Sequence, residues 1–119
     1  MENKDALLYH YARLWTRNLD RGRMIGNIVA IELKRRGYEV YAGILYQKEI
    51  DFVAIKRNEK IYIQVSDDIS NEDTFGREVS PLLQIRDAYP KILLARTRDD
   101  AYQHEGIRIV DVADWLAEE

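Results

Sequence analysis

A chain of 119 residues, 46% hydrophobic and 33% charged, is long enough for one domain around one core, burying roughly two-thirds of its unfolded surface. The absence of cysteine excludes a disulfide framework and a thiolate zinc site, and with only two histidines any metal would need carboxylates. The net charge of -3 argues against a general polyanion binder, no apolar run approaches the ~18 residues of a membrane span, and residues 1–5 lack the basic start of a secretory signal, so a cytoplasmic setting is expected.

The average charge hides an asymmetry. Residues 1–37 hold eight bases against four acids, whereas from Asp99 onward seven acids face one base, Arg108. A basic first third can meet phosphates, but ordinary solvated helix faces read the same way.

Over residues 6–19, Leu7, Leu8, Tyr11, Leu14 and Trp15 recur at three- and four-residue steps, which predicts an amphipathic helix. Asp20 is placed to cap a second helix with the stripe Ile25, Ile28, Val29 and Leu33, and Gly37 is placed to end it. Three runs rich in Val, Ile and Tyr follow at residues 38–45, 49–56 and 60–66, so closely spaced that only hairpins can join them.

The polar stretch 67–73 leads to Thr74, an N-cap candidate for a helix carrying Val79, Leu82, Leu83 and Ile85, with Pro81 set to kink or delay it. After Tyr89 and Pro90, the run Ile92, Leu93, Leu94, Ala95 is continuously apolar, as a central strand covered on both faces requires. A loop through His104 and Gly106 precedes a short strand at 107–110, and a closing helix over 111–118 turns Trp115 and Leu116 inward. The predicted order is α-α-β-β-β-α-β-β-α. The crossover before Ile92 is long enough to make its flanking strands parallel, so the fold class is α/β, a mixed sheet flanked by helices.

Two residues stand out chemically. In an antiparallel pair, opposed residues have a constant sum of numbers; a two- or four-residue turn makes that sum odd, placing Asp51 opposite Gln64 or Ser66 and all three on one side. A three-residue turn would group Asp51 with Ile63 and Val65, against the core pattern. Asp51 interrupts the run from Ile50 to Ile55, and a carboxylate among such neighbours costs several kcal/mol unless it is paired or metal-bound. It reads either as a site residue or as a strand aspartate answered by Lys48 or a backbone amide. Glu32 falls within the arc of Ile25, Ile28, Val29 and Leu33, where it can join Asp51 in an acidic site or pair with Arg36 one turn on.

A set of short strings carries a resemblance: Arg21-Gly22-Arg23-Met24-Ile25, Asn27 to Leu33, Arg36-Gly37-Tyr38-Glu39-Val40-Tyr41, Glu49-Ile50-Asp51-Phe52-Val53-Ala54, and Tyr62-Ile63-Gln64-Val65. With Thr74-Phe75, Arg77-Glu78-Val79, Pro81-Leu82-Leu83, Asp87, Tyr89-Pro90-Lys91 and Asp114-Trp115-Leu116, nearly the whole chain is similar to the uncharacterised C-terminal domain of bacterial and archaeal AAA-type ATPases. That domain resembles the PD-(D/E)XK, restriction-endonuclease-like and Holliday-junction-resolvase fold. In that fold a helix glutamate, a strand aspartate and an acid-X-lysine trio hold magnesium and activate water.

By this resemblance the strand aspartate maps onto Asp51, the acid of the trio onto Gln64, its middle residue onto Val65, its lysine onto Ser66, and the helix glutamate onto Gly26. Glutamine offers a carbonyl oxygen but no charge, and serine cannot replace an ammonium, so magnesium, if any is bound, would rest mainly on Asp51. Glu32 lies about 120° around the helix from Gly26 and would need a different geometry. No Gly-rich loop ending in Gly-Lys-Ser or Gly-Lys-Thr occurs, so the chain reads as a relic or a piece of a longer ATPase.

Three readings follow. The first is a degenerate nuclease-fold module that serves an AAA-type ATPase in the same or another chain, binding nucleic acid or a protein partner without cleaving, with Arg21, Arg23, Lys34 and Arg35 as phosphate contacts. The second is a metal-dependent nuclease with an unorthodox site of Asp51, Gln64 and Glu32. The third is an interaction scaffold that uses a strand edge or the acidic C-terminal face.

Overall fold

In a computed structural model the described residues are 21–45 and 48–118; the predicted helix over 6–19 and the Asp20 cap lie outside them. Helix α1, Arg21–Arg35, ends as the sequence predicts. Gly37 takes φ +97°, its N–H donates to Lys34 O, and the Tyr38 N–H donates to Leu33 O, both at 3.0 Å. This doubly bonded turn consumes two carbonyls that the helix end would otherwise leave unpaired, and its positive φ suits a residue without a Cβ.

Strands β1 (Glu39–Leu45), β2 (Lys48–Lys56) and β3 (Glu59–Ser66) form an antiparallel meander. The β2–β3 turn has two residues, Arg57 and Asn58, and Arg57 takes the positive φ of 57° that tight hairpins use. The pairs Phe52↔Ile63, Val53↔Tyr62 and Lys56↔Glu59 fix one of the two predicted registers, the one that brings Asp51 level with Gln64.

Helix α2, Glu72–Leu83, is capped by Asn71 and not by Thr74. The Asn71 carboxamide oxygen accepts from Asp73 N at 2.8 Å and Thr74 N at 3.2 Å, so Thr74 already lies in the first turn. Pro81 stays inside the helix, which ends two residues later. Leu83 is therefore exposed, whereas Ile85, past the helix end, is still buried.

Strand β4, Lys91–Ala95, is central as expected, pairing in parallel with β3 on one side and with β6, Ile107–Asp111, on the other. The sequence predicts a loop through His104, but Tyr102–His104 forms an edge strand, β5, antiparallel to β6. The sheet thus has six strands, not five, in the order β1-β2-β3-β4-β6-β5. Helix α3, Val112–Ala117, follows directly. One carboxylate organises that junction: Asp111 Oδ2 accepts from Ala113 N and Asp114 N as the N-cap of α3, while Oδ1 accepts from Thr97 N and Arg98 N, both at 3.0 Å.

Alternation along the strands separates two cores. Ile25, Val29 and Leu33 of α1 and Trp115 of α3 pack on Phe52, Ile63, Val65, Ile92 and Leu94. On the other face, Val79 and Leu82 of α2 pack on Ile50, Tyr62, Leu93, Ile107 and Ile109. Each such fully buried aliphatic contributes about 1.5–3 kcal/mol of transfer free energy. The layers are helix, sheet, helix. Ile28, placed by its spacing in the inward stripe, is 46% exposed, and the buried face of α1 centres instead on Val29, Ala30 and Leu33. No helix among the described residues is long and apolar enough to cross a membrane.

Candidate functional site

Alternation breaks once. Pairs along β1 and β2 sum to one value from Glu39↔Ile55 to Tyr41↔Val53 and to another from Gly43↔Ile50 to Leu45↔Lys48, so Asp51 and Phe52 together face the single residue Ala42. This bulge re-aims the strand. Ile50 packs with Val79 and Leu82 in the α2-side core, and its neighbour Asp51 also serves the α2 side, lining an open cleft.

The cleft, of about 680 Å³, lies between the β2–β3 pair and α2 from Glu72 to Pro81. Its acids are Glu49, Asp51, Glu72, Asp73 and Glu78, and its one base is Arg77. Glu72 and Asp73 suit the first turn of α2, where the positive end of the helix dipole and the Asn71 cap favour them.

Where the β2–β3 ladder stops at Phe52↔Ile63, side chains continue it. Gln64 is buried; its Oε1 accepts from Asp51 N at 2.7 Å and its Nε2 donates to the backbone carbonyl of Glu78 at 3.3 Å. The Asp51 Oδ2 accepts from Val65 N at 2.9 Å. The amide of Gln64 thus ties β2, β3 and α2 together. A carboxylate in its place could take the first bond but could not give the second.

Loss of water pushes the Asp51 carboxyl from 3.8 up to about 6; the Val65 N–H pulls the other way, and the Glu49 charge adds to the rise. Glu78 is likewise raised, by burial first and by the charge of Asp51 second, with Arg77 opposing. Two carboxyls raised chiefly by loss of water thus line the same cleft.

The structure brings Asp51 and Gln64 together as the register argument requires, but it does not bring Glu32 to them. Glu32 is on α1, across the sheet, and the cleft is backed by α2. Its carboxylate accepts from Arg35 at 2.9 and 2.7 Å and from Arg36 Nε at 2.6 Å, and these guanidinium bonds hold it near a pKa of about 2. Arg36 in turn donates to Trp115 O at 2.7 Å and Glu118 O at 2.9 Å and lies 4.3 Å over the Trp115 ring. Glu32 orients the arginine that fastens α1 to α3. Of the expected phosphate contacts, Lys34 and Arg35 lie in the last turn of α1, with Arg35 engaged by Glu32; Arg21 and Arg23 lie in its first turn, their side chains outside the described set.

Sequence reasoning missed Glu49 and Glu78. A signal for Glu78 was present: it sits three residues after Phe75 and four before Leu82, on the border of the inward stripe of α2.

The donor set does not fit the magnesium site that the resemblance implies. Gln64 Oε1 is taken by a backbone N–H, Ser66 Oγ donates to Asp68 O at 3.4 Å and carries no charge, and Gly26 lies on α1, where an added Cβ would meet Phe52 Cζ at 4.0 Å. Among the described residues no three Asp, Glu, His or Cys side chains are grouped to hold an ion.

No protein-family model matches the chain. It is 47% identical over 90 residues to an uncharacterized protein of Haemophilus influenzae, a stretch that covers 76% of this chain and 22% of that protein. The chain therefore spans about a fifth of the length of the relative it matches. No solved structure matches it.

Proposed function

We propose that this chain is a restriction-endonuclease-like module that no longer cleaves phosphodiesters and serves an AAA-type ATPase, in the same or another polypeptide, as a cytoplasmic recognition domain. The observation that carries the reading is the use made of Gln64: its amide spends both functional ends on Asp51 N and Glu78 O, a structural tie at the position where the nuclease chemistry needs a free carboxylate.

Two further facts support it. One helix, a three-strand meander, a crossover helix and a parallel strand, in the spatial order β1-β2-β3-β4 with α1 and α2 on opposite faces, is the arrangement expected of that fold. A similar stretch making up 22% of a longer protein is what a module attached to another machine would give. The cleft itself, five acids against one base, repels a phosphate backbone that no cation accompanies.

The test is incubation of the chain with magnesium or manganese and branched, single-stranded and duplex DNA, beside Asp51→Ala. Identical, background-level products from both are expected. Cleavage by the wild type that Asp51→Ala abolishes would overturn the reading in favour of an active nuclease.

A further inference from the structure

A second groove, of about 380 Å³, opens on the same face of the sheet at the other end of α2. Its floor and walls come from Leu83, Arg86, Tyr89 and Pro90 and from Gly106 of the β5–β6 turn. Its charges are balanced, Arg86 and Lys91 against Asp87 and Glu105, where the first cleft is strongly acidic.

The loop bearing Tyr89 is built to be rigid. Asp87 accepts from the Tyr62 hydroxyl at 2.5 Å and from Tyr89 N at 3.0 Å, and the Tyr62 N–H donates to Pro90 O at 3.0 Å. Lys91 Nζ closes the turn on Asp87 O, Asp87 Oδ1 and Tyr89 O, at 2.8, 3.2 and 2.8 Å. These bonds hold the Asp87 carboxyl below its ordinary range despite partial burial and satisfy its charge internally. Out of this frame the Tyr89 ring stands 41% exposed, with Lys60 Nζ 4.8 Å from its centroid. Arg86, next to Asp87 in sequence but not paired with it, is exposed and has no ion pair among the described residues. The far wall carries one acid, Glu105, which lies 3.3 Å from His104.

From this we infer that Tyr89, Lys60 and Arg86 form a contact surface for single-stranded nucleic acid, with a base stacked on the Tyr89 ring and neighbouring phosphates met by Lys60 and Arg86. An exposed aromatic ring with a lysine over one face and an arginine lining the same groove is a combination such strands can use, because every base has a stacking face and every linkage a charge. A duplex offers no free base to the ring. The inference deepens the function proposed above by naming what the module recognises, and it places recognition at the end of α2 away from the acidic cleft.

The experiment is fluorescence anisotropy with a labelled oligothymidylate and a duplex of equal length, titrated with the full chain from low to moderate salt. Single-strand binding is expected to be tighter than duplex binding. Tyr89→Ala should weaken it on the order of 5- to 100-fold and Tyr89→Phe should restore it; Arg86→Gln and Lys60→Gln should each flatten the salt dependence by roughly 0.7 in log–log slope. Circular dichroism of each variant separates a lost contact from a lost fold. Absence of single-strand binding, preference for the duplex, or a folded Tyr89→Ala that binds like wild type would overturn the inference. The proposed loss of cleavage stands or falls on the nuclease assay alone, so the two failures are distinguishable.

Discussion

Gln64 stands level with Asp51 across the β2–β3 pair, and the amide of one caps the backbone of the other: Gln64 Oε1 takes the Asp51 N–H at 2.7 Å and Gln64 Nε2 reaches on to Glu78 O. Replacing Gln64 by Glu would surrender the second bond and set a third carboxyl beside Asp51 and Glu78. The expected cost is about 2–4 kcal/mol at pH 8, from a lost hydrogen bond and an unpaired buried charge. Urea denaturation should show that cost shrinking at pH 5, where these carboxyls take up protons.

Asp51 should make stability depend on pH in an unusual direction. Its carboxyl titrates near 6 in the fold against 3.8 ordinarily, so below about 3.8 both states are protonated and the group costs nothing. From about 3.8 upward the unfolded chain ionises first, so the penalty grows until the folded carboxyl ionises too, and it is complete above about 6, on the order of 2–3 kcal/mol. Asp51→Asn keeps an acceptor for Val65 N and removes the charge. It should melt a few degrees above wild type at pH 8, and the gap should close towards pH 4.

Arg36 is the reciprocal case. It gathers Glu32, Trp115 O, Glu118 O and the Trp115 ring into one contact between α1 and α3. Arg36→Ala should cost about 2–3 kcal/mol in chemical denaturation, and Arg36→Lys should recover little, because one ammonium cannot reproduce the planar fork. The Glu32 share of this contact, with its pKa lowered to about 2, is fully present above about 4.5 and is lost as pH falls through 2.

Asp111 holds four amides with two oxygens. Asp111→Ala should cost about 1–2 kcal/mol, the range for a lost helix cap. Amide hydrogen exchange should rise at Thr97 and Arg98 as well as at Ala113 and Asp114, which a simple cap would not cause.

What the sequence made legible was local or periodic. Gly37 ends α1 because a positive φ is a one-residue requirement, and the register of β2 on β3 follows from strand parity and a two-residue turn. The errors have physical causes. Tyr102, Gln103 and His104 form a strand without a buried face, since an edge strand earns its place through backbone pairing with β6. Asn71 outcompetes Thr74 as a cap because two acids follow it in the first turn. Glu32 was legible either as a site residue or as the partner of Arg36; the pair forms, and what the sequence hid is that Arg36 is itself anchored on Trp115 O, 79 residues away. The pairing of Asp51 with Gln64 was readable from numbering, whereas Glu78 came into the cleft only when α2 was docked.

The extra residue that β2 carries opposite Ala42 makes the spacing before Asp51 as consequential as Asp51 itself. Shortening the strand by one residue there would invert its first half: Ile50 would leave the company of Val79 and Leu82, and Glu49 would be driven against the layer between sheet and α2. The count of residues in β2, as much as their identity, therefore decides which side chains reach the cleft.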